Sequence, residues 1–221
     1  MVVLAALLFL AVLVLYTGKK TRHLLEKQKQ HDIFTGQIIG AFAKTIDIKD
    51  HYTKGHSFRV AEYARKLAQR LNYTELSPEE IYNIALLHDI GKIAVPDAIL
   101  NKPCELTEEE YEIVKQHAHN GYEILKEIES VPELALGAGF HHERVDGDGY
   151  PFHKGGSEIP YVARIIAVAD TFDTMNSTRP YRDKLSLEEI MEELRRVSGT
   201  QLQPEIVEVM LQLIDEGVIK P

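Results

Sequence analysis

The sequence places metal-binding side chains inside runs of apolar residues. His88 and Asp89 follow an apolar run at 84–87, and Asp170 follows another at 165–169. Residues in such runs are expected to be buried, and burying an imidazole or a carboxylate is costly unless a partner or a metal compensates for the lost water. These positions therefore favour a buried polar or metal site.

Four further histidines stand at positions that suit the same site. His56 begins one predicted helix, and His117 lies midway along another. His141 and His142 end an apolar stretch that enters a glycine-rich loop. A lone buried histidine is more often a hydrogen-bonded core residue, but five histidines with two aspartates make coincidence a poor explanation. Imidazoles and carboxylates are ligands of first-row divalent metals, and this many ligands suit two ions bridged by one carboxylate.

Helical periodicity predicts the elements that position these residues. Between residues 56 and 71, apolar side chains recur at three- and four-residue spacing, which is typical of an amphipathic helix. Ser77 with Pro78, and Thr107 with Glu110, are helix-start signals. Helices are predicted near 23–47, 56–71, 77–90, 107–128, 132–142, 160–175, 186–197 and 204–216, with a loop at 143–159. No convincing strand pattern is present, so the predicted fold is all-α with about seven to nine helices.

Five stretches of the chain resemble the HD-GYP domain, a branch of the HD metal-dependent phosphohydrolases. They are HYTKGHSFRV (51–60), HDIGK (88–92), KQHAHNG (115–121), HHERVDGDGYP (141–151) and RIIAVADTFDTMNSTRPYR (164–182). The resemblance extends from about residue 50 to residue 204, and the combination of motifs is highly specific. It implies a single helical HD-type catalytic domain, which we assign to residues 50–221.

The resemblance implies a centre of two divalent transition-metal ions that hydrolyses cyclic di-GMP. Carried over by position, one ion is held by His56, His88, Asp89 and Asp170, and Asp89 bridges to a second ion held by His117, His141 and His142. Iron or manganese is expected, with zinc or nickel as alternatives. A hydroxide that bridges the ions attacks phosphorus, and the expected product is linear pGpG, or GMP after a second cut.

The resemblance also implies which residues contact the substrate. The expected substrate-binding residues are Lys92, Gly149, Tyr150, Arg179 and Arg182. The expected catalytic residues are Asp89, as the bridge between the ions, and Lys92, which neutralises charge on the phosphoryl group. Tyr52 stands where some family members have a glutamate associated with a third metal, so two ions are favoured here. Gln203 replaces an aspartate of the family pattern at a place remote from the ligands.

Charge and cysteine content exclude two classes of function. The 221 residues carry a formal net charge of −9, which argues against broad electrostatic binding to DNA or RNA. Cys104 is the single cysteine, so neither an intramolecular disulfide nor a zinc finger with paired cysteines can form. Bound cations and Lys92 can still reverse the sign inside one pocket, so the net charge is compatible with a small anionic nucleotide.

The first residues form a separate apolar segment. Residues 1–16 are entirely apolar, and Lys19, Lys20 and Arg22 follow almost at once. We expect a transmembrane anchor at 1–18 that makes the chain a single-pass protein of the cell membrane, with the catalytic domain in the cytoplasm. A helical linker at 19–49 would follow, and its helix at 24–48 would offer a surface for a homodimer. The alternatives are a signal peptide, a buried core helix, or the last piece of a longer membrane region in a fragment.

Three other functions compete with hydrolysis of cyclic di-GMP. The same metal chemistry could serve another cyclic dinucleotide, although the intact GYP sequence with Arg179 and Arg182 argues against it. The chain could instead be a non-catalytic receptor for cyclic di-GMP or a module that binds a partner protein. That function would be signalled by lost metal ligands, and none of the expected ligands is missing. A purely structural role for the histidines is the last alternative.

Overall fold

Nine α-helices account for most of the part of the chain that the structure describes. This computed structural model describes residues 2–50, 54–178 and 184–220, except for the side chains of residues 2, 5–8, 11 and 12. The helices are α1 Val2–Lys49, α2 His56–Arg70, α3 Pro78–Leu86, α4 Asp97–Leu100, α5 Glu108–Leu125, α6 Glu133–Phe140, α7 Tyr161–Met175, α8 Leu187–Val197 and α9 Pro204–Asp215. Two short 3-10 helices lie at Ile90–Ala94 and Gly156–Glu158. The prediction of an all-α fold with seven to nine helices is confirmed.

Helix α1 begins in the apolar segment and continues through the basic residues that follow it. The prediction of a transmembrane anchor at 1–18, and of a single-pass membrane location with a cytoplasmic domain, is wrong. Within the ranges that the structure describes, no helix is long and apolar enough to cross a membrane. The apolar run ends at Tyr16 and charged side chains start at Lys19, short of the roughly 20 apolar residues that a spanning helix requires.

The chain divides into two compact units, residues 1–38 and residues 39–221. In the smaller unit, the side chains from Leu13 to Thr35 are exposed. In the larger unit, Ala43 and Ile46 of the last turns of α1 are buried. The larger unit therefore includes the last part of the predicted 19–49 linker.

Helix α7 lies at the centre of the larger unit and contacts α2, α6, α8 and α9. Its residues 165–169 are buried, and so is Phe172, whose ring meets the ring of Tyr63 edge-on at 5.1 Å. Helix α2 turns its apolar stripe, including Val60 and Leu67, into the same core. Burial of these stripes is the main source of stability, because it removes apolar surface from water.

Local sequence sets the starts of three helices. In each one, the hydroxyl of the capping residue accepts the N–H of a glutamate three residues later, whose carboxylate accepts the N–H of the capping residue in return. The pairs are Ser77 with Glu80, Thr107 with Glu110, and Ser186 with Glu189. These reciprocal bonds satisfy N–H groups that have no partner inside the helix.

Helix α3 ends earlier than predicted. The sequence pattern extended it to about residue 90, but it ends at Leu86, and a 3-10 helix begins at Ile90. His88 and Asp89 therefore lie in the turn between these two helices. The 3-10 helix packs against α5, which carries His117, so the turn carries Asp89 towards the other predicted ligands.

Candidate metal centre

Five separate segments bring together the seven predicted metal ligands. They are His56 at the start of α2, His88 and Asp89 after α3, His117 in α5, His141 and His142 after α6, and Asp170 in α7. Most of them are buried, whereas His142 and Asp170 are partly exposed. The cluster is therefore enclosed by the helices and open on the side of His142 and Asp170.

The carboxylate of Asp89 lies at the middle of the cluster. Its Oδ2 atom lies 3.4 Å from Nε2 of His88 and 3.7 Å from Nε2 of His56. Its Oδ1 atom lies 3.4 Å from Nε2 of His117 and 3.9 Å from Nε2 of His141. The two oxygens therefore face different histidines, which is the arrangement that a carboxylate needs in order to bridge two ions.

The other ligand atoms form two groups on either side of Asp89. We name them the first position, formed by His56, His88 and Asp170, and the second position, formed by His117, His141 and His142. Within each position, one ligand atom from each residue lies within 4.8 Å of the others. An overlapping set of His88, Asp89 and His141 meets the same distance and links the two positions.

His88 provides a test of whether these residues fit a metal ion. Its Nε2 atom is buried and has no hydrogen-bond partner among the described residues. An unsatisfied buried nitrogen is costly, and a cation bound to its lone pair would remove that cost. The surrounding donors are imidazole nitrogens and carboxylate oxygens, which are ligands of first-row divalent ions. The cluster is therefore compatible with divalent metal binding.

Main-chain carbonyl groups orient three of the ligand imidazoles. Each contacts, through Nδ1, the carbonyl oxygen three residues earlier: His88 with Ala85 at 2.7 Å, His117 with Val114 at 2.7 Å, and His141 with Ala138 at 2.9 Å. A carbonyl oxygen can only accept a hydrogen bond, so Nδ1 must carry the proton. The lone pair is then left on Nε2, which points into the cluster and is free to bind a metal.

His56 has a different partner, the buried carboxylate of Asp173. Nδ1 of His56 lies 2.8 Å from Oδ2 of Asp173. Arg59 donates to the same carboxylate through Nε at 2.7 Å and through Nη2 at 2.9 Å. The sequence predictions did not include Asp173. The signal that could have found it is a second carboxylate three residues after Asp170 in the same apolar helix.

The surroundings keep both ligand carboxylates ionised. Burial acts to raise the pKa of Asp89, but the positive charge of Lys92 opposes burial, and the neighbouring groups together hold that pKa well below its usual range. Burial acts in the same direction on Asp170, where the hydrogen bond from His56 outweighs it and lowers the pKa. Both groups are therefore negative at neutral pH, as metal binding requires.

The histidines of the two positions differ in their protonation. Burial lowers the pKa of His142 to about 3, and it lowers the pKa of His141 well below its usual value. Both imidazoles are therefore neutral at pH 7. Burial also opposes a charge on His56, but its bonds to Asp170 and Asp173 outweigh burial and raise its pKa to about 9. A cation that binds His56 must therefore displace a proton.

Lys92 lies between two buried carboxylates. Its Nζ atom is 2.8 Å from Oδ2 of Asp89 and 2.9 Å from Oδ2 of Asp50, which directly follows α1. Burial acts to lower the pKa of Lys92, but these two carboxylates outweigh it and raise the pKa. The predicted phosphate-binding cation is thus charged and already contacts the central ligand.

A cavity of about 400 Å³ opens beside the second position. Tyr150 lines this cavity and stacks on His142, with ring centroids 4.8 Å apart and ring planes at 25°. Lys115 also lines it, with Nζ 5.7 Å from the centre of the Tyr150 ring. A neighbouring cavity of about 610 Å³ lies between α7 and α8, and His142 and Asp170 line both cavities. Both partly exposed ligands therefore face open space.

The loop that carries Tyr150 is held by Glu143. This buried carboxylate accepts the N–H of Phe152 at 2.6 Å and the N–H of Lys154 at 2.9 Å. Gly149 lies against the start of the loop, where an added Cβ atom would come within 2.4 Å of the Arg144 nitrogen. The close approach of the two main-chain segments therefore requires glycine at 149, and it fixes the neighbouring Tyr150. Arg179, Arg182 and Tyr52 lie outside the described residues.

Comparisons with known proteins agree with this geometry. A family model described as HD domain matches residues 40–206. The cyclic di-GMP phosphodiesterase of Thermotoga maritima is 41% identical over 90% of this chain and 56% of its own length. The 3'3'-cGAMP-specific phosphodiesterase 3 of Vibrio cholerae is 40% identical over 79% of this chain and 38% of its own length.

A solved structure shares the fold. Bd1817, an HDG"Y"P protein from Bdellovibrio bacteriovorus, superposes with a TM-score of 0.60 at 18% identity, covering 72% of this chain and 51% of that one. The chain spans about half the length of the first of the two curated relatives named above and less of the second. The expected resemblance is confirmed, and the chain belongs to the HD domain family.

Proposed function

We propose that this chain is a metal-dependent phosphodiesterase that hydrolyses cyclic di-GMP to linear pGpG, with GMP as the product of a second cut. One observation carries the proposal: the Asp89 carboxylate faces His56 and His88 with one oxygen, and His117 and His141 with the other. Proteins named as cyclic di-GMP phosphodiesterases are among the relatives of the chain, which supports this substrate.

The two positions would each hold one divalent ion, with Asp89 between them. Iron or manganese suits these ligands, and zinc or nickel is the alternative. Bound ions would polarise a phosphoryl oxygen and activate the water that attacks phosphorus. The unpartnered Nε2 atom of His88 supports this assignment, because a cation is what this buried nitrogen lacks.

The residues of the chain supply charge and orientation. Asp89 and Asp170 place two negative charges at the centre, where they balance bound cations. Lys115 and Arg144 line the cavity, where they pair with the carboxylates of Glu112 and Asp146. We propose that they turn to the phosphates of an anionic substrate when it binds. Tyr150 forms an aromatic surface at the cavity wall, on which a nucleobase can stack. Lys92 contacts Asp89, and we propose that it also meets a substrate phosphate.

A second candidate substrate is 3'3'-cGAMP. The names of the relatives favour it as a specific alternative, because cGAMP-specific phosphodiesterases of Vibrio cholerae match the chain at 36 to 40% identity. Both substrates share the phosphodiester chemistry and differ in one base. A non-catalytic receptor is less well supported, because all seven expected ligands are present and lie together.

The proposal is tested by incubating the full-length chain, loaded with Mn²⁺ or Fe²⁺ without oxygen, with each cyclic dinucleotide. The products are resolved by chromatography. We expect conversion of cyclic di-GMP to pGpG, and loss of conversion in Asp89→Asn, which removes one charge and keeps the shape of the side chain. The matched control is Asp215→Asn, since Asp215 is exposed and lies in α9. No turnover with any metal, or turnover by Asp89→Asn equal to that of the unmodified chain, would contradict the proposal.

A further inference from the structure

The two metal positions differ in the charge of their ligands. The first position contains its own carboxylate, Asp170, whose Oδ1 atom lies 3.2 Å from Nε2 of His56. The second position consists of three imidazoles. Asp89 lies between the positions and contributes one oxygen to each side. The ligands of the first position therefore carry one more negative charge than those of the second, and a bound ion there must compete with Lys92, whose Nζ lies 2.8 Å from the Asp89 oxygen on that side.

The two positions also differ in what supports their imidazoles. His117 and His141, in the second position, contact main-chain carbonyl oxygens through Nδ1, as His88 does in the first position. His56, in the first position, contacts the carboxylate of Asp173 at 2.8 Å. An anionic acceptor behind an imidazole increases the basicity of the opposite nitrogen and fixes the plane of the ring. Once its proton is displaced, His56 is therefore the stronger donor towards a metal.

The Asp173 carboxylate is itself rigidly held. It is fully buried, and Arg59 donates to both of its oxygens. The hydroxyl of Ser177 lies 3.4 Å from Oδ2. Asp173 also follows Asp170 by less than one turn of α7, so one helix supplies a ligand of the first position and the support of another. The fixed carboxylate of Asp173 can therefore hold the imidazole ring of His56 in one orientation.

We propose that Asp173 is a positioning residue that makes the first position the tighter of the two cation sites. Divalent ions then fill the first position before the second. The inference deepens the proposed function and rests on its metal requirement. It concerns binding alone, so it can be measured without substrate.

The order of binding is tested by titrating the full-length, metal-free chain with Mn²⁺ and following bound ion by equilibrium dialysis and calorimetry. We expect two binding steps of unequal affinity. His142→Ala, which alters only the second position, should remove the weaker step and keep the tighter one. His56→Ala should remove the tighter step. Two equal steps in the unmodified chain, or loss of the tighter step in His142→Ala, would overturn the inference.

The role of Asp173 is tested in the same titration with Asp173→Asn, which removes the charge and keeps an oxygen that can accept from His56. Loss of a group that supports a metal-binding histidine weakens affinity by roughly 10- to 100-fold. We expect that loss in the tighter step only. The matched control is Asp47→Asn, because Asp47 is also buried but accepts from Ser57 at 2.6 Å and not from an imidazole. Equal weakening of both steps by Asp173→Asn would contradict the assignment.

Circular dichroism of each variant separates lost folding from lost binding. If Asp173→Asn does not fold, the His56→Ala and His142→Ala titrations still decide the order of filling. Hydrolysis of cyclic di-GMP is measured separately on the loaded chain. Ordered binding without turnover would refute the proposed function and leave the inference standing. Turnover with two equal binding steps would support the proposed function and refute the inference.

Discussion

The main chain of Gly91 packs directly on the main chain of His117. A Cβ atom added at Gly91 would lie 1.9 Å from the His117 carbonyl oxygen and 2.4 Å from the nitrogen of Gly121. Both neighbours are main-chain atoms of α5, so they cannot turn aside as a flexible side chain can. This contact holds the turn that carries Asp89 against the helix that carries a ligand of the second position.

Gly91→Ala is therefore expected to destabilise the chain and to reduce its metal capacity. Overpacking of this kind costs about 1 to 3 kcal/mol or more, because the turn must move away from α5. Urea unfolding measures the stability, and equilibrium dialysis with Mn²⁺ measures the capacity. Gly36→Ala is the control, since nothing lies within 4 Å of a Cβ atom at that residue of α1. Unchanged metal binding in Gly91→Ala would show that the contact does not position Asp89.

Lys92→Met is expected to lower the stability of the metal-free chain and to raise its affinity for Mn²⁺. The substitution removes the cation that lies between the buried carboxylates of Asp89 and Asp50, so the metal-free chain should lose stability. Breaking a buried ion pair from one side costs about 3 to 5 kcal/mol. Affinity for Mn²⁺ should increase, because the substitution removes a positive charge that competes with the ion for the Asp89 carboxylate.

The two effects of Lys92→Met are read from urea unfolding without metal and from Mn²⁺ titration. Lys115→Met is the matched control, since Lys115 is a cation of the cavity wall that contacts tyrosine rings. It should change neither quantity strongly. Weaker Mn²⁺ binding in Lys92→Met would mean that Lys92 orients Asp89 more than it competes with the ion.

Glu143→Ala is expected to release the loop that carries Tyr150. The carboxylate accepts two main-chain N–H groups, from Phe152 and Lys154, and loss of a buried acceptor costs about 1 to 3 kcal/mol. Hydrogen exchange at these two amides should accelerate. Glu143→Gln keeps one accepting oxygen and should show a smaller change. If exchange at both amides stays as slow as in the unmodified chain, the loop is held by other contacts.

Two histidines set opposite pH limits on the stability of the metal-free chain. The pKa of His56 is raised to about 9 from its ordinary 6.5, so its contribution is present below pH 6.5 and is lost as the pH rises through 9. The pKa of His142 is lowered to about 3, so the unfolded chain binds its proton first and stability falls as the pH drops from 6.5 towards 3. These two groups together favour a stability maximum near pH 6.5.

Urea unfolding of the metal-free chain across pH 4 to 9 checks this expectation. His56→Gln should flatten the alkaline side of the profile, and His142→Gln should flatten the acid side. His119→Gln serves as the control, because His119 is exposed in α5. An alkaline side that is equally steep without His56 would assign that limit to another group.

Most of the helices, and the residue types of the expected metal ligands, can be recognised from local sequence alone. Ser77 with Glu80, and Thr107 with Glu110, start helices through bonds that span three residues, so the pattern is visible locally. An imidazole or a carboxylate in an apolar run also needs no tertiary information to stand out. The prediction of a membrane anchor also used local sequence alone, and it was wrong. No helix among the described residues is long and apolar enough to cross a membrane, and the apolar run gives way to charged residues soon after Tyr16.

The side chains that support the expected ligands depend on tertiary packing and could not be predicted from local sequence. Asp173 meets His56 across 117 positions of sequence, and Lys92 meets Asp50 across 42. The early end of α3 at Leu86 is likewise followed by a 3-10 helix that packs against α5, a helix distant in sequence. Periodicity and capping record interactions between residues that are close in sequence. The partners of a buried charge are chosen instead by how distant helices pack, and that choice is made only when the core forms.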